Sequence, residues 1–174
     1  MTANENAKSA APRGPRFRSI LFICAANTAR SVMAEHLLRR ELRALGMERH
    51  VRISSAGIAP YARDGAMVSL DTRLALRDDG IHIGEEAVST DLKRHPELLA
   101  AADLIIAMTA QQARELTEKF PAAAGRPVFT LRSFAGEAGD IDDPYDQGDR
   151  VFAQCREEIK RLVPAIAARL FHEE

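Results

Sequence analysis

The chain has no tryptophan, two tyrosines and two cysteines among its 174 residues, so its core must be built mostly from aliphatic side chains. Two cysteines, Cys24 and Cys155, cannot make a disulfide framework. No signal-peptide pattern precedes them, and the reducing cytoplasm is the expected compartment. Long apolar runs are missing too. The longest, residues 20–26 and 104–108, are far too short to cross a bilayer, which argues against a membrane-spanning helix. Neither sign of charge prevails: 24 basic residues stand against 25 acidic ones, for a net charge of −1. That balance argues against a broad basic surface and against nucleic acid as a partner. The nucleotide fingerprints G-x-G-x-x-G and G-x-x-x-x-G-K-[ST] are absent. His36, His50, His82, His95 and His172 show no ligand spacing with one another or with cysteine, so no metal and no cofactor are expected.

What remains is an ordinary globular composition, 46% hydrophobic and 28% charged, in a chain the length of one domain. Residues 1–16 carry no periodic apolar pattern and hold Pro12, Gly14 and Pro15; they read as a flexible tail ahead of a single domain over 17–174. From Phe17 onward strand and helix patterns alternate. Ile20, Leu21, Phe22 and Ile23 form a short run suited to a strand buried on both faces. Helical spacing follows from Ser31, with Met33, Leu37, Leu38, Leu42 and Leu45 on one side and Gly46 as the stop. Residues 51–53 read as a second strand, and Met67, Leu70 and Leu74 mark a second helix closed by Gly80. A third helical stretch over 91–101 is interrupted at Pro96. Residues 104–108 read as a central strand, Thr109 and Gln112 as a capping box opening another helix, and residues 128–131 as a fourth strand. The last helix is the clearest, with Phe152, Cys155, Ile159, Leu162, Val163, Ile166 and Leu170 at helical spacing and Pro164 to bend it. Strands separated by helices predict an α/β fold with a parallel sheet.

In such folds the chemistry sits at the carboxyl ends of the strands, where helix N-termini point. The first strand ends in Cys24-Ala25-Ala26-Asn27-Thr28-Ala29-Arg30-Ser31. A loop of this kind can wrap a tetrahedral oxyanion with backbone N–H groups, the positive end of the following helix and the planar fork of Arg30. The same surroundings favour an anion, and the thiolate is the nucleophilic form of cysteine. Asn27 is one of the few residues besides glycine that tolerates a left-handed backbone, which a tight cradle tends to require. The spacing itself is a weak signal. Arginine is 20 of the 174 residues, and Cys155 is followed at the same interval by Arg161. That second match lies inside an unbroken helical pattern whose N–H groups are already bonded, so Cys155 reads as packing. From the loop alone, Cys24 reads equally as a nucleophile and as a small buried residue at a strand end.

Residues 133–149 hold acids and no base: Glu137, Asp140, Asp142, Asp143, Asp146 and Asp149. Within them Asp143 precedes Pro144 and Tyr145. A phosphoenzyme mechanism needs an acid to protonate the leaving group and then a base to activate water, and one carboxyl on a proline-stiffened loop can do both. Asp-Pro is equally a common turn starter.

Taken together and in order, several segments resemble the low-molecular-weight protein tyrosine phosphatases over about residues 17–170. They are the Cys24-to-Ser31 loop, Met33-Ala34-Glu35, Ser55-Ala56-Gly57, Ala102-Asp103-Leu104 through Met108, and Asp143-Pro144-Tyr145. The resemblance implies a four-stranded parallel sheet flanked by helices on both faces. It also implies metal-free, cofactor-free hydrolysis of phosphomonoesters on a phosphorylated protein, through a phosphocysteine. By the same resemblance Cys24 would be the nucleophile, Arg30 the phosphate clamp and Asp143 the general acid and base. Ala25, Ala26, Asn27, Thr28, Ala29 and Ser31 would complete the phosphate-binding loop, with Asn27 ordering it and Ser31 donating to the thiolate. Ser55 would support the loop, and Tyr145 would form one wall of the substrate cleft. A monomer or weak dimer is the expected state, with neither nucleic acid nor membrane as partner.

The chain departs from the family pattern in places. Ala26 stands where the family has glycine, Ala29 where it has a second cysteine, Val32 where it has proline, and Ala87 where it often has histidine. A glycine can serve close backbone approach or an unusual φ, so Ala26 admits an alternative: a weakened relative that acts as a phosphate-binding module. Thr28, usually aliphatic in tyrosine-directed members, is similar to the bacterial protein-arginine phosphatases, as are residues 128–131 and Gly139-Asp140. A polar Thr28 and the extra Asp146 suit a guanidinium, whereas Tyr145 suits stacking on a phenyl ring. Thr28 reads equally as a cap for the following turn. Arsenate reductases share this fold and loop, but they relay oxidation through two further cysteines in mid-chain, and none lies between Cys24 and Cys155.

Overall fold

A computed structural model describes residues 14–172. Strands β1 (Ser19–Cys24), β2 (Arg52–Gly57), β3 (Leu104–Ala107) and β4 (Val128–Thr130) form one sheet in the order β2-β1-β3-β4. Every neighbouring pair is parallel, with Cys24 opposite Gly57 and Ile23 opposite Ala107. The helices are α1 (Arg30–Ala44), α2 (Leu70–Asp78), α3 (Pro96–Ala101), α4 (Ala110–Lys119), α5 (Leu131–Phe134) and α6 (Asp149–Phe171).

The strand pleat divides the core in two. Ile20, Phe22 and Cys24 join one buried cluster with Leu37, Leu38 and Leu42 of α1 and Ile159, Leu162 and Ile166 of α6. Leu21 and Ile23 face the other way, against Ile105, Leu99 of α3 and Leu116 of α4. Burial on both faces is why β1 and β3 read as continuous apolar runs rather than as alternating ones. Each such Leu or Ile taken out of water contributes about 1.5–3 kcal/mol, which is what holds helices on both sides of the sheet. Gly46 and Gly80, at φ +70° and +75°, end α1 and α2 in the left-handed region. Among the described residues no helix is long and apolar enough to cross a membrane.

The structure differs from the sequence expectation at several elements. Met67, Leu70 and Leu74 do not form the buried face of α2. Ser69 caps that helix by accepting from Thr72 N, so it starts late and buries Thr72, Ala75 and Leu76. Met67 instead pairs with Val88 across an isolated antiparallel bridge. The stretch at 91–101 splits into a 3-10 turn, Leu92–Arg94, and α3, with Pro96 in the first turn of α3 where its missing N–H costs nothing. Leu131, expected at the end of β4, begins α5, because Thr130 and Ser133 cap each other's backbone N–H groups. Only half of the expected Thr109–Gln112 capping box forms: Thr109 Oγ1 accepts from Gln112 N at 3.1 Å, but Gln112 Oε1 accepts from Met108 N at 3.2 Å. Pro164 lies inside α6 without ending it. The tail expected over residues 1–16 lies outside the described residues through residue 13; Arg16 N donates to Leu170 O at 2.8 Å.

The chain leaves β1 through α1 to reach β2 on one side, then returns across the sheet to β3 on the other. The crevice at the carboxyl ends of β1 and β3 is therefore a topological switch point, where α/β sheets bind ligands.

Candidate active site

β1 delivers Cys24 to that crevice, and α1 begins at Arg30. Between them, the backbone N–H groups of Ala26, Asn27, Thr28 and Ala29 donate to no protein acceptor among the described residues. Ala29 caps α1 without a side-chain bond. Unpaired donors at a helix N-terminus make an anion site.

Asn27 fixes the loop. Its φ is +59°, and its buried amide donates to Ser31 Oγ and Ser55 Oγ, both at 2.9 Å, while Oδ1 accepts from Thr90 N at 2.9 Å. Ser55 Oγ in turn donates to Glu35 Oε2 of α1. Ser31 Oγ lies 2.9 Å from Cys24 Sγ. The Ser31 hydroxyl accepts from Asn27 and is within reach to donate to the sulfur when that sulfur is a thiolate.

The concern raised by Ala26 is answered by β2. Among the described residues only Asn27 and Asp146 have positive φ without being glycine, so Ala26 needs no glycine freedom. The close approach falls at Gly57, where a Cβ would lie 2.8 Å from both Ala25 O and Ala26 C. Ile58 N and Ala59 N donate to Cys24 O and Ala25 O, both at 3.0 Å, which locks the loop onto the strand end.

Thr28 is held by its carbonyl, which accepts from Ser69 N at 3.2 Å and Thr72 Oγ1 at 3.0 Å. Its hydroxyl makes no hydrogen bond among the described residues, so Thr28 does not cap the following turn; its side chain lines the cleft.

The acidic loop is anchored just ahead of Asp143. Asp140 Oδ1 accepts from Ala110 N at 2.8 Å, Ile141 N donates to Met108 O at 2.9 Å, and Arg30 Nη1 donates to Ile141 O at 2.8 Å. Arg30, 5% exposed, thus spans from the phosphate loop to the acidic loop. Its second terminal nitrogen, Nη2, lies 3.6 Å from Asp143 Oδ2, whose side chain is 53% exposed. Asp143 Oδ1 accepts from Tyr145 N at 3.1 Å, a local bond that fixes the turn through Pro144.

Cys24, Thr28, Arg30, Asp143, Tyr61 and Tyr145 meet around one cleft of about 380 Å³. The chain has two tyrosines, and both line it. Of the residues expected from the sequence, the structure brings Cys24, Ala25, Ala26, Thr28, Ala29, Arg30, Asp143 and Tyr145 to this cleft, with Asn27, Ser31 and Ser55 bonded together behind the loop. The sequence did not point to Tyr61, Ser69 and Phe152 as lining residues or to Glu35 as the partner of Ser55. The scarcity of tyrosine was the one signal that could have singled out Tyr61.

Cys155 is buried in α6 with Sγ 4.0 Å from Asp142 O, and burial pushes its thiol up to about 12. It is a protonated packing thiol at neutral pH. Among the described residues no group of three His, Cys, Asp or Glu could hold a metal.

A thiol beneath an anion cradle, at the switch point of a parallel α/β sheet, marks a cysteine enzyme that handles a tetrahedral oxyanion. A family model for low molecular weight phosphotyrosine protein phosphatase matches residues 19–174, and the chain belongs to that family. It is 33% identical over 156 residues to a protein-arginine-phosphatase of Geobacillus stearothermophilus, covering 89% of this chain and 97% of that one. It is 29% identical over 151 residues to low molecular weight protein-tyrosine phosphatase A of Mycobacterium tuberculosis, covering 84% and 88%. Among solved structures, a YwlE arginine phosphatase variant with a phosphorylated active-site serine superposes with a TM-score of 0.78 at 31% identity, over 87% of this chain and 95% of that one.

Proposed function

We propose that this phosphatase removes phosphate from phosphorylated arginine on proteins. The observation that carries the choice is Thr28: a hydroxyl with no protein partner, in the cleft that also holds Cys24 and Arg30. That hydroxyl is free to accept from a ligand, and a guanidinium offers the N–H groups to pair with it, whereas a phenyl ring offers none. The arginine phosphatases among the relatives support the same reading.

In the first step the Cys24 thiolate attacks phosphorus in line with the leaving group, and the P–N bond breaks as Asp143 gives its proton to the departing guanidine. The unpaired N–H groups of the loop and the fork of Arg30 take the negative charge of the equatorial oxygens. The product is a phosphocysteine. In the second step Asp143, now ionised, takes a proton from water, the water oxygen attacks phosphorus, and the S–P bond breaks to release phosphate and regenerate the thiolate. The relative with a phosphorylated serine in its active site fits a covalent intermediate at this position. Ser31 supports the thiolate, and Asn27, Ser55 and Glu35 hold the loop in shape.

A second reading, phosphotyrosine, is favoured by the two tyrosines at the cleft mouth, Tyr61 and Tyr145, which could sandwich a phenyl ring. A planar guanidinium stacks on the same surfaces, so the walls serve both. Turnover of phosphoarginine and phosphotyrosine peptides, measured side by side with EDTA present, decides. Higher kcat/KM on phosphoarginine supports the proposal, equal or reversed preference refutes it, and loss of all activity in EDTA refutes the metal-free mechanism.

A further inference from the structure

Six large hydrophobic residues are prominently exposed among the described residues: Leu45, Tyr61, Met67, Leu70, Val88 and Tyr145. Scattered exposed apolar residues are ordinary. These are not scattered. Leu45 stands past the end of α1, whereas Tyr61 and Tyr145 line the cleft and the other three lie on segments that hydrogen bonds tie to its rim. Ser69 lines the cleft and holds Thr28 O; Leu70 is the next residue, opening α2. Arg73, one turn further along α2, donates to Gly84 O at 2.9 Å and so fastens the segment that carries Val88. Val88 bridges to Met67, which returns the surface to the start of α2.

The exposure of Met67 and Val88 is enforced. Ser89 between these segments is buried: its N–H donates to Ala66 O at 2.7 Å, its carbonyl accepts from Gly65 N at 3.0 Å, and its hydroxyl donates to Arg63 O at 2.6 Å while accepting from Ala66 N at 3.0 Å. Asp64 Oδ1 adds a bond from Asp91 N at 2.8 Å, and Oδ2 meets His95 Nε2 at 2.9 Å. A loop bonded this completely cannot fold its apolar side chains away. It holds Met67 and Val88 in water at 68% and 47% exposure, beside Leu70 at the start of α2, which is 69% exposed next to the cleft residue Ser69.

We infer that Met67, Leu70 and Val88 form a docking patch for the substrate protein, taking apolar side chains that lie within a few residues of the phosphorylated residue. The inference rests on the phosphatase reading, since it places the phosphorylated residue in the cleft. Adjacency names the occupant: Ser69, the neighbour of Leu70, lines the cleft that takes the phosphorylated residue, so a protein presenting that residue brings its flanking side chains against this part of the rim. The contacts involve none of the reacting atoms, so they contribute to binding of substrate and transition state alike and should appear in KM rather than in kcat.

The test uses two phosphopeptides that differ only in having leucines or serines beside the phosphorylated residue. They are presented to the full chain, to a Met67→Ser/Leu70→Ser double variant and to Val88→Ser. The unmodified enzyme should prefer the leucine peptide by KM. The double variant should raise KM for that peptide about tenfold, the worth of roughly one buried aliphatic side chain, with kcat held and the serine peptide and a small aryl phosphate unaffected. Affinities of both peptides, titrated onto Cys24→Ser with and without the patch substitutions, read the patch without turnover. If aryl phosphate is not hydrolysed, the phosphatase reading fails, while the titrations still judge the patch. Equal affinity for leucine and serine peptides overturns the inference. So does a patch variant that changes only the sedimentation of the protein, because the patch would then join copies of this chain.

Discussion

Cys24 and Cys155 are each followed, six positions on, by an arginine, and both are buried in one core cluster, yet the backbone around them differs. Cys24 ends a strand and is followed by a loop with unpaired N–H groups, a serine hydroxyl at 2.9 Å and an arginine turned back toward the acidic loop. Cys155 lies within α6, whose N–H groups are already used along the helix, and its Arg161 points outward to pair with Glu137 at 2.6 Å. One environment leaves backbone donors free to hold an anion over the sulfur. The other raises the cost of ionising sulfur, so that the thiol titrates at about 12. Spacing along a chain carries chemistry only where the backbone between the two residues is free to bind something.

The largest way to break that contrast is to exchange sulfur for oxygen at each site. Cys24→Ser should abolish aryl phosphate hydrolysis with the fold intact by circular dichroism, because a serine hydroxyl is not ionised by this loop. Equal loss in Cys155→Ser would erase the distinction.

Asp143→Asn should come next, slowing turnover by roughly 10²–10⁴, the usual worth of a positioned acid and base. Asp142→Asn should do far less: Asp142 does not line the cleft, while Asp143 does and faces Arg30. Steady-state kinetics on the pair checks this, and indistinguishable variants would move the acid elsewhere.

Thr28→Ile sharpens the substrate assignment. Removing a hydroxyl that pairs a guanidinium should lower kcat/KM on phosphoarginine by on the order of 10², while phosphotyrosine turnover holds or rises modestly. An unchanged ratio of the two would count against phosphoarginine.

Gly57→Ala tests whether β2 sets the shape of the loop. The added Cβ, 2.8 Å from backbone atoms of Ala25 and Ala26, has no flexible neighbour to move and should cost about 1–3 kcal/mol in urea unfolding, with activity lowered. Ala26→Gly should change both little.

The smallest effect belongs to Cys155. Its thiol is protonated up to about 12 when folded but loses its proton near 9.0 when unfolded, so its contribution to stability is full below pH 9 and declines as pH rises above it. Cys155→Ala should flatten the alkaline fall in thermal stability. Iodoacetamide at neutral pH should label Cys24 and spare Cys155.

These contrasts also mark what a linear sequence can tell. β1, β3 and α6 were legible because their burial is complete or strictly periodic, and β4 nearly so. α5 was not, since its four residues hold together by the mutual caps of Thr130 and Ser133 rather than by a pattern. Met67, Leu70 and Leu74 look like a helical face, yet Ser69 starts the helix after the first of them and turns a different set inward. In the site, the loop from Cys24 to Ser31 is contiguous and could be read as a unit. Asp143 and Tyr145 could be placed only by resemblance, because the bonds that bring them over the loop, Arg30 to Ile141 O and Ile141 N to Met108 O, go through backbone atoms that any residue carries. Tyr61 reaches the cleft on a turn fixed by Lys93 Nζ, which donates to Ala59 O at 2.6 Å, and no spacing rule announces such a bond.

The most direct test of the central claim is to find where the phosphoryl group goes. With an aryl phosphate whose leaving group needs no proton, Asp143→Asn should still form the phosphoenzyme but lack the base to hydrolyse it. Mass spectrometry of peptides from acid-quenched Asp143→Asn should then find phosphate on Cys24 and none on Cys155. Phosphate on any other residue, or turnover with no covalent phosphate at any time point, would contradict the account.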